Sequence, residues 1–208
     1  MSIARGLVGW WRFDGNLTDS SGSGNNGTVG AGSAAYAAGK YGRALSANGS
    51  LRIAITDTTD LKLVDSSYTI SAWIKPSSYG GGGFGRILDK GVSPFSSGYV
   101  LNLNSGINGF GMSHRSGGEV TISNSIDLDV WQHIVASFDG TAITLYKNAV
   151  PLKSENVSSI SSNSGSLDIA NRGDNARGFQ GKIDNVMIYN RALSPSEIKT
   201  LYALGSPL

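Results

Sequence analysis

The stretch from Gly178 to Leu204, GFQGKIDNVMIYNRALSPSEIKTLYAL, constrains the fold more than any other part of the chain. Its first half reads as a strand, with Ile183, Val186 and Ile188 as the apolar set. Its second half carries a helix start. Ser194 stands at the cap, Pro195 at the first helical position, and Glu197 three residues after the cap, the spacing of a capping box. Ile198, Leu201 and Tyr202 then give that helix one apolar side. A β-structure closed by one short helix is the expectation.

The rest of the chain agrees. Strand candidates are short, evenly spaced and separated by turn residues: Leu7–Phe13, Ala44–Leu45, Leu51–Ile55, Tyr68–Lys75, Arg86–Lys90, Tyr99–Asn104, Gly109–Arg115, Glu119–Ile122, Trp131–Asp139, Ala142–Lys147, Leu167–Ala170 and Phe179–Asn190. In Tyr68–Lys75, Ile70, Ala72 and Ile74 alternate with Thr69, Ser71 and Trp73, the period of a half-buried strand. Asp139-Gly140 between two such runs predicts a hairpin, and Lys147-Asn148 marks the next turn. No helical pattern alternates with the strands, which argues against a parallel α/β sheet. The prediction is all-β, two antiparallel sheets packed as a jelly-roll sandwich, with Leu7–Phe13 beside the last strand. With no repeat and no linker, residues 1–208 are read as one domain, its core about 6–205. Two glycine-rich stretches, Asp14–Gly32 and Ser77–Gly85, are read as long loops, which in a small domain usually serve function.

Composition excludes several classes. Gly occurs 29 times, about twice the usual ~7%, and charged residues are 15% against ~25%. The net charge of +2 and the lack of a Lys/Arg cluster argue against nucleic acid. The chain has no cysteine, hence no disulfide framework. No apolar run approaches the ~20 residues of a membrane span. Residues 1–10 lack the apolar region and cleavage site of a signal peptide, so export would depend on a trimmed leader, a larger protein or a virion.

Six motifs in order carry a family resemblance. They are Leu7-Val8-Gly9-Trp10-Trp11-Arg12-Phe13-Asp14; Asp19-Ser20-Ser21-Gly22 with Asn25-Asn26-Gly27-Thr28; Gly39-Lys40-Tyr41-Gly42-Arg43-Ala44-Leu45; Tyr68 through Pro76; Trp131-Gln132-His133-Ile134-Val135 with Phe138-Asp139-Gly140; and the C-terminal stretch. Over roughly residues 6–205 the chain resembles the laminin-G-like jelly-roll domains of the concanavalin A-like lectin/glucanase superfamily. The resemblance implies a two-sheet fold used mostly for binding sugars and other surface ligands.

It also directs attention to calcium, which needs six to eight oxygens. Asp19, Asn25 and Asn26 sit in a Gly/Ser loop, Asp14 closes the strand that leads into it, and in the related family an aspartate at the position of Asp184 often helps hold a structural ion. Asp14, Asp19, Asn25, Asn26 and Asp184 are therefore the expected Ca²⁺ ligands. The alternative is that Asp19 and Asn25 make ordinary Asx turns and Asp184 bonds to backbone. Asn185 stands where the family usually has an acid, one charge fewer for an ion.

Sugar sites use exposed aromatic faces with polar neighbours. Trp10, Trp11, Trp73 and Trp131 lie in motif strands, and at least three of them read as core. Tyr79, Phe84, Phe95, Tyr99 and Phe110 lie in or beside loops and are the better ligand candidates, with Arg86 and Arg115 as charged partners for an acidic sugar or an internal salt bridge. His133 reads as a hydrogen-bonded strand histidine. Catalysis has little support: a glycosidase needs a carboxylate pair, and Glu119, Glu155 and Glu197 are isolated. Two functions follow. One is a non-catalytic, calcium-stabilised carbohydrate-binding module for a polysaccharide or glycoconjugate, with a host-cell surface among the expected settings. The other is a structural or adhesive domain of a phage virion or bacterial surface protein, part of a larger assembly. Both place the protein outside the cell, on its surface or in a virion.

Overall fold

The computed structural model describes residues 3–64, 67–91, 96–161 and 163–206. The strands in chain order are β1 (Leu7–Trp11), β2 (Gly27–Ala31), β3 (Ala35–Ala38), β4 (Arg43–Asn48), β5 (Arg52–Ile55), β6 (Tyr68–Pro76), β7 (Arg86–Lys90), β8 (Tyr99–Asn104), β9 (Gly109–His114), β10 (Gly118–Ile122), β11 (Gln132–Phe138), β12 (Ala142–Lys147), β13 (Val150–Asn156), β14 (Leu167–Ile169) and β15 (Gln180–Tyr189). A one-turn helix, α1 (Thr59–Lys62), follows β5, and α2 (Pro195–Leu204) ends the chain. Strands make up 45% of the residues, well above the ordinary 20–25%, and all pairings are antiparallel. One sheet runs β13-β12-β11-β6-β15-β4-β3 with β1 also on β15, and the other runs β10-β9-β8-β7-β14-β5-β2. This is the expected jelly-roll sandwich.

β15 organises the first sheet. One edge pairs with β6. The other is shared: β4 takes Gln180–Ile183 and β1 takes Val186–Tyr189. The handover is a bulge at Asp184–Asn185, where Asn185 adopts φ 47° and accepts a hydrogen bond from Trp10 Nε1 at 2.8 Å. First and last long strands are thus neighbours, as the sequence predicts.

The inward faces of the two sheets bury one large core that includes Trp11, Phe13, Ile70, Ile74, Tyr99, Phe110, Ile134 and Ile188. A second core lies on the outer face of the first sheet, where Ile198 and Leu201 of α2 pack on Trp10, Val135, Met187 and Tyr189. The capping box at Ser194 and Glu197 is formed. Arg191 clasps the Glu197 carboxylate with two bonds, 2.7 and 3.0 Å, and holds its pKa down to about 2. This helix changes the reading of β6. Its alternation predicts a half-buried strand, yet Thr69, Ser71 and Trp73 are buried too, because α2 and the segment before it cover them. Thr69 Oγ1 donates to Arg191 O and accepts from Leu193 N, tying the cover down.

Three strands lie outside the sequence-predicted set: β2, inside the expected Asp14–Gly32 loop, and β3 and β13. All are edge strands. Their sequences, GTVGA, AYAA and VPLKSEN, are largely exposed, and apart from Tyr36, which is partly buried against the core, they bury little apolar surface, so no alternation betrays them. Glycine, alanine and proline in such edges also limit pairing with other chains.

Candidate functional site

Among the described residues no helix lies over the outer face of the second sheet. Strand parity decides what stands there. Tyr99, Leu101 and Leu103 of β8 point inward, as do Phe110, Met112 and His114 of β9, and all six are fully buried. Their alternate partners therefore face out: Val100, Asn102, Gly111 and Ser113. Pairing aligns Asp89, Val100, Ser113 and Glu119 in one cross-strand row and Arg86, Asn102, Gly111 and Thr121 in the next. These rows floor a groove of about 250 Å³ lined by Phe84, Arg86, Val100, Asn102, Ser113, Arg115 and Glu119. Gly111 deepens it: a Cβ there would meet the Thr121 methyl at 2.7 Å.

The electrostatic centre is Asp89, 1% exposed. Arg86 Nε donates to its Oδ2 at 3.0 Å, and Arg115 Nη2 donates to both oxygens, 2.6 Å to Oδ1. Burial lowers the Arg86 guanidinium to about 10, although Asp89 opposes that fall. The same burial raises the Asp89 carboxyl against the pull of Arg115 and Arg86. Partial burial raises Glu119 while Arg86 lowers it, so Glu119 lies within the field of Arg86. Several polar atoms that face the groove have no partner among the described residues. Arg86 Nη1 donates to Phe84 O, leaving Nη2 open. Asn102 donates through Nδ2 to Leu103 O, leaving Oδ1 open. At the rim the Phe84 ring is 38% exposed, with the Arg177 guanidinium 5.3 Å from its centroid. The groove thus offers hydrogen-bond donors and acceptors beside one aromatic edge.

Of the expected ligand residues, Phe84, Arg86 and Arg115 come together here. The other three do not. Tyr79 is half-buried against the core and pins the glycine loop, its carbonyl accepting Gly85 N at 2.7 Å. Tyr99 and Phe110 are corrected outright: both are fully buried between the sheets, and Tyr99 Oη donates to Leu61 O at 2.7 Å. Phe95 lies outside the described residues. Asn102, Ser113, Asp89 and Glu119 are absent from the sequence-derived set, although the alternation of β8 and β9 carried the signal for the first two. Three tryptophans are buried as expected, Trp10, Trp11 and Trp73, whereas Trp131 is half-buried just before β11. His133 is also buried, with Nε2 2.7 Å from Ser71 Oγ.

The five expected calcium ligands separate into two places. Asp19 receives four hydrogen bonds, from Trp10 N, Ser21 N, Ser21 Oγ and Asn25 N, at 2.8–2.9 Å. Asn26 Oδ1 accepts Asp19 N, and Asn25 binds Val8 O and Thr58 Oγ1. Every oxygen of that loop set but backbone is engaged, which is the Asx-turn arrangement and not a coordination shell. Asp14 accepts Arg43 N and pairs with Arg12. Asp184 Oδ2 accepts Lys40 N and Tyr41 N at 2.8 and 3.0 Å, fixing the Gly39–Arg43 turn, while the buried Oδ1 has no partner. Burial raises the Asp184 carboxyl to about 6, with a further push from Asp14. As one shell the five do not fit calcium, and no cluster of three or more His, Cys, Asp or Glu suits a metal among the described residues.

Comparison with known proteins supplies the family. The model of the family described as Laminin_G_3, concanavalin A-like lectin/glucanases superfamily, matches residues 47–199. The chain belongs to this family. Its members' shared fold recurs in solved structures. The binding domain of Paraclostridial Mosquitocidal Protein 1 superposes with a TM-score of 0.76 at 21% identity, over 96% of this chain and 52% of that one. Domain 4 of AbnA, a GH43 extracellular arabinanase from Geobacillus stearothermophilus solved with arabinotriose, gives 0.72 at 24% identity, over 94% and 98%. The binding domain of botulinum neurotoxin serotype G gives 0.74 at 16%, over 96% and 51%. The laminin-G-like chain spans about half the length of these toxin domains. No curated protein matches it in sequence.

Proposed function

We propose that this laminin-G-like chain is a non-catalytic, lectin-like module that binds a polysaccharide or glycoconjugate in the groove over β7–β10. The observation that carries the reading is the set of open polar atoms on Arg86, Asn102 and Glu119, held by strands and by a buried Arg–Asp–Arg triad. A saccharide presents hydroxyls that donate and accept, and such a rigid array satisfies them without first losing much side-chain entropy. The glycoside relative solved with arabinotriose supports the same class of ligand. A non-catalytic role follows from the carboxylates: glycoside hydrolysis uses a pair, and of the two acids at the groove Asp89 is engaged by two guanidinium groups. An extracellular setting fits the toxin and arabinanase relatives.

Affinity electrophoresis against a panel of polysaccharides tests the proposal. Ser113→Trp should fill the groove and abolish retardation while leaving the melting temperature unchanged; retention undiminished in that variant would remove the groove from the reading. The second reading, an adhesive or structural domain of a virion or bacterial surface protein, draws on the similarity to toxin binding domains. It predicts attachment to cells that Ser113→Trp does not alter. Calcium stands as a separate, narrower proposal at Asp184, whose Oδ1 is the one buried carboxylate oxygen of the expected set left without a partner. A chelator should then lower the melting temperature of calcium-loaded protein and leave Asp184→Asn unaffected. Coincident curves for loaded and chelated protein would dismiss the ion.

A further inference from the structure

The charge balance of the groove narrows the ligand, an argument that rests on the carbohydrate reading above. Two guanidinium groups, Arg86 and Arg115, share the single carboxylate of Asp89. The triad alone carries one positive charge, which would favour an acidic sugar. Two observations oppose that. A carboxylate or sulfate is best held by two parallel N–H groups of one guanidinium, and Arg86 has already spent Nε on Asp89 and Nη1 on Phe84 O. Nη2 keeps its donors, but both of its fellow nitrogens on the guanidinium, Nε and Nη1, already have partners, so neither side of Arg86 offers two nitrogens free for a forked grip. In addition, Glu119 stands on the groove wall within the field of Arg86, with no hydrogen bond or ion pair of its own among the described residues. Its charge cancels that of the triad and would repel an anion approaching Arg86.

We propose that the groove selects neutral sugars and that Glu119 is its specificity-determining residue, accepting a sugar hydroxyl and excluding carboxylated or sulfated units. The free Asn102 Oδ1 supplies a second acceptor across the floor. A neutral polyol can donate to both acceptors while accepting from Arg86 Nη2, whereas an anion, which has no proton to donate, gains nothing from either acceptor.

The test is retardation in gels containing neutral polymers (arabinan, xyloglucan, galactomannan) or acidic ones (polygalacturonate, hyaluronate, heparin), at low and physiological ionic strength. The wild type should be retarded by at least one neutral polymer and by none of the acidic ones. Glu119→Gln should weaken neutral binding about tenfold, since a charge-assisted bond becomes a neutral one. Glu119→Lys should gain salt-sensitive binding to an acidic polymer. Glu119 is exposed on an edge strand, so both variants should keep the wild-type melting temperature, which is measured alongside. Retention by acidic polymers alone, equal retention by both classes, or unchanged neutral binding in Glu119→Gln would overturn this inference while leaving the carbohydrate reading in place. Retention by neither class would overturn the carbohydrate reading itself.

Discussion

The outer faces of the two sheets carry similar kinds of residue and meet opposite fates. On the first sheet, α2 lies over the strands. Tyr202 stacks on Trp73 with ring centroids 5.4 Å apart, and Trp73 in turn packs on His133. Lys40 Nζ sits 4.6 Å from the Trp73 ring. Aromatic and ionisable groups are here turned into packing. On the second sheet no helix arrives among the described residues, and the ion triad around Asp89 borders the groove, where Arg86 Nη2 has no partner among those residues. One outer face is therefore consumed by packing, and the other keeps its polar groups beside a groove. The aromatic motif residues divide between the core between the sheets, with Trp11, Phe13, Tyr68 and Phe138, and the covered side, with Trp10, Trp73 and Tyr202.

The largest expected effect probes the open side. Asp89→Ala leaves two buried guanidinium groups uncompensated and should cost about 3–5 kcal/mol in denaturant unfolding. Glu119→Ala, at the exposed rim, should stay within about 0.5 kcal/mol. A small loss at Asp89 would mean the triad is well solvated and the groove less rigid than described. On the covered side, Ile198→Ala should cost about 2–5 kcal/mol through the cavity it opens beneath α2, without changing groove binding. Loss of ligand in that variant would show that the two faces are coupled.

The covered side also carries the pH dependence. Burial holds His133 to about 3, against an ordinary 6.5. Between those values the unfolded chain binds a proton that the folded chain does not, so His133 costs stability as pH falls, by up to about 1.4 kcal/mol per unit. Asp184 acts in the opposite sense. Its carboxyl is raised from 3.8 to about 6, so the folded chain holds the extra proton and its contribution is lost as pH rises through that range. In the presence of chelator the two should nearly cancel between pH 4 and 6. His133→Gln should expose the falling slope and Asp184→Asn the rising one in melts across pH. Parallel profiles for all three proteins would contradict the buried placement of these groups. The smallest effect is at the helix cap, where Ser194→Ala should lower stability by about 1 kcal/mol and leave the groove untouched, as read by denaturant titration beside gel retardation.

Much of the fold was legible because local chemistry determined it. The capping signal at Ser194 through Glu197 and the hairpin at Asp139-Gly140 each act over a few residues, and both are realised, while the alternation of β6 gave the strand but not the burial of its second face. Asp139 Oδ1 accepts Thr141 N and Ala142 N, fixing that turn from within. Edge strands escaped notice because they bury little apolar surface and so need no pattern. The candidate site was legible only in part. Phe84, Arg86 and Arg115 were recognisable as residue types that a sugar would use, while Tyr99 and Phe110 misled because nearness to a loop was read as exposure when strand parity turned them inward.

By itself the sequence determined the all-β class, the closing helix, the strand parity and the cast of polar residues on each strand. Only the tertiary structure decided which face α2 would cover, that Asp89 would gather Arg86 of its own strand and Arg115 from just past β9, and that Glu119 would line the same groove. It also decided that Asp19 would receive four hydrogen bonds from its own loop and neighbouring strand, apart from Asp184. The physical reason is range. Caps, turns and alternation are set by neighbours along the chain, whereas coverage, ion pairing and coordination depend on which distant segments are brought within a few ångströms, and that is fixed by sheet order and register.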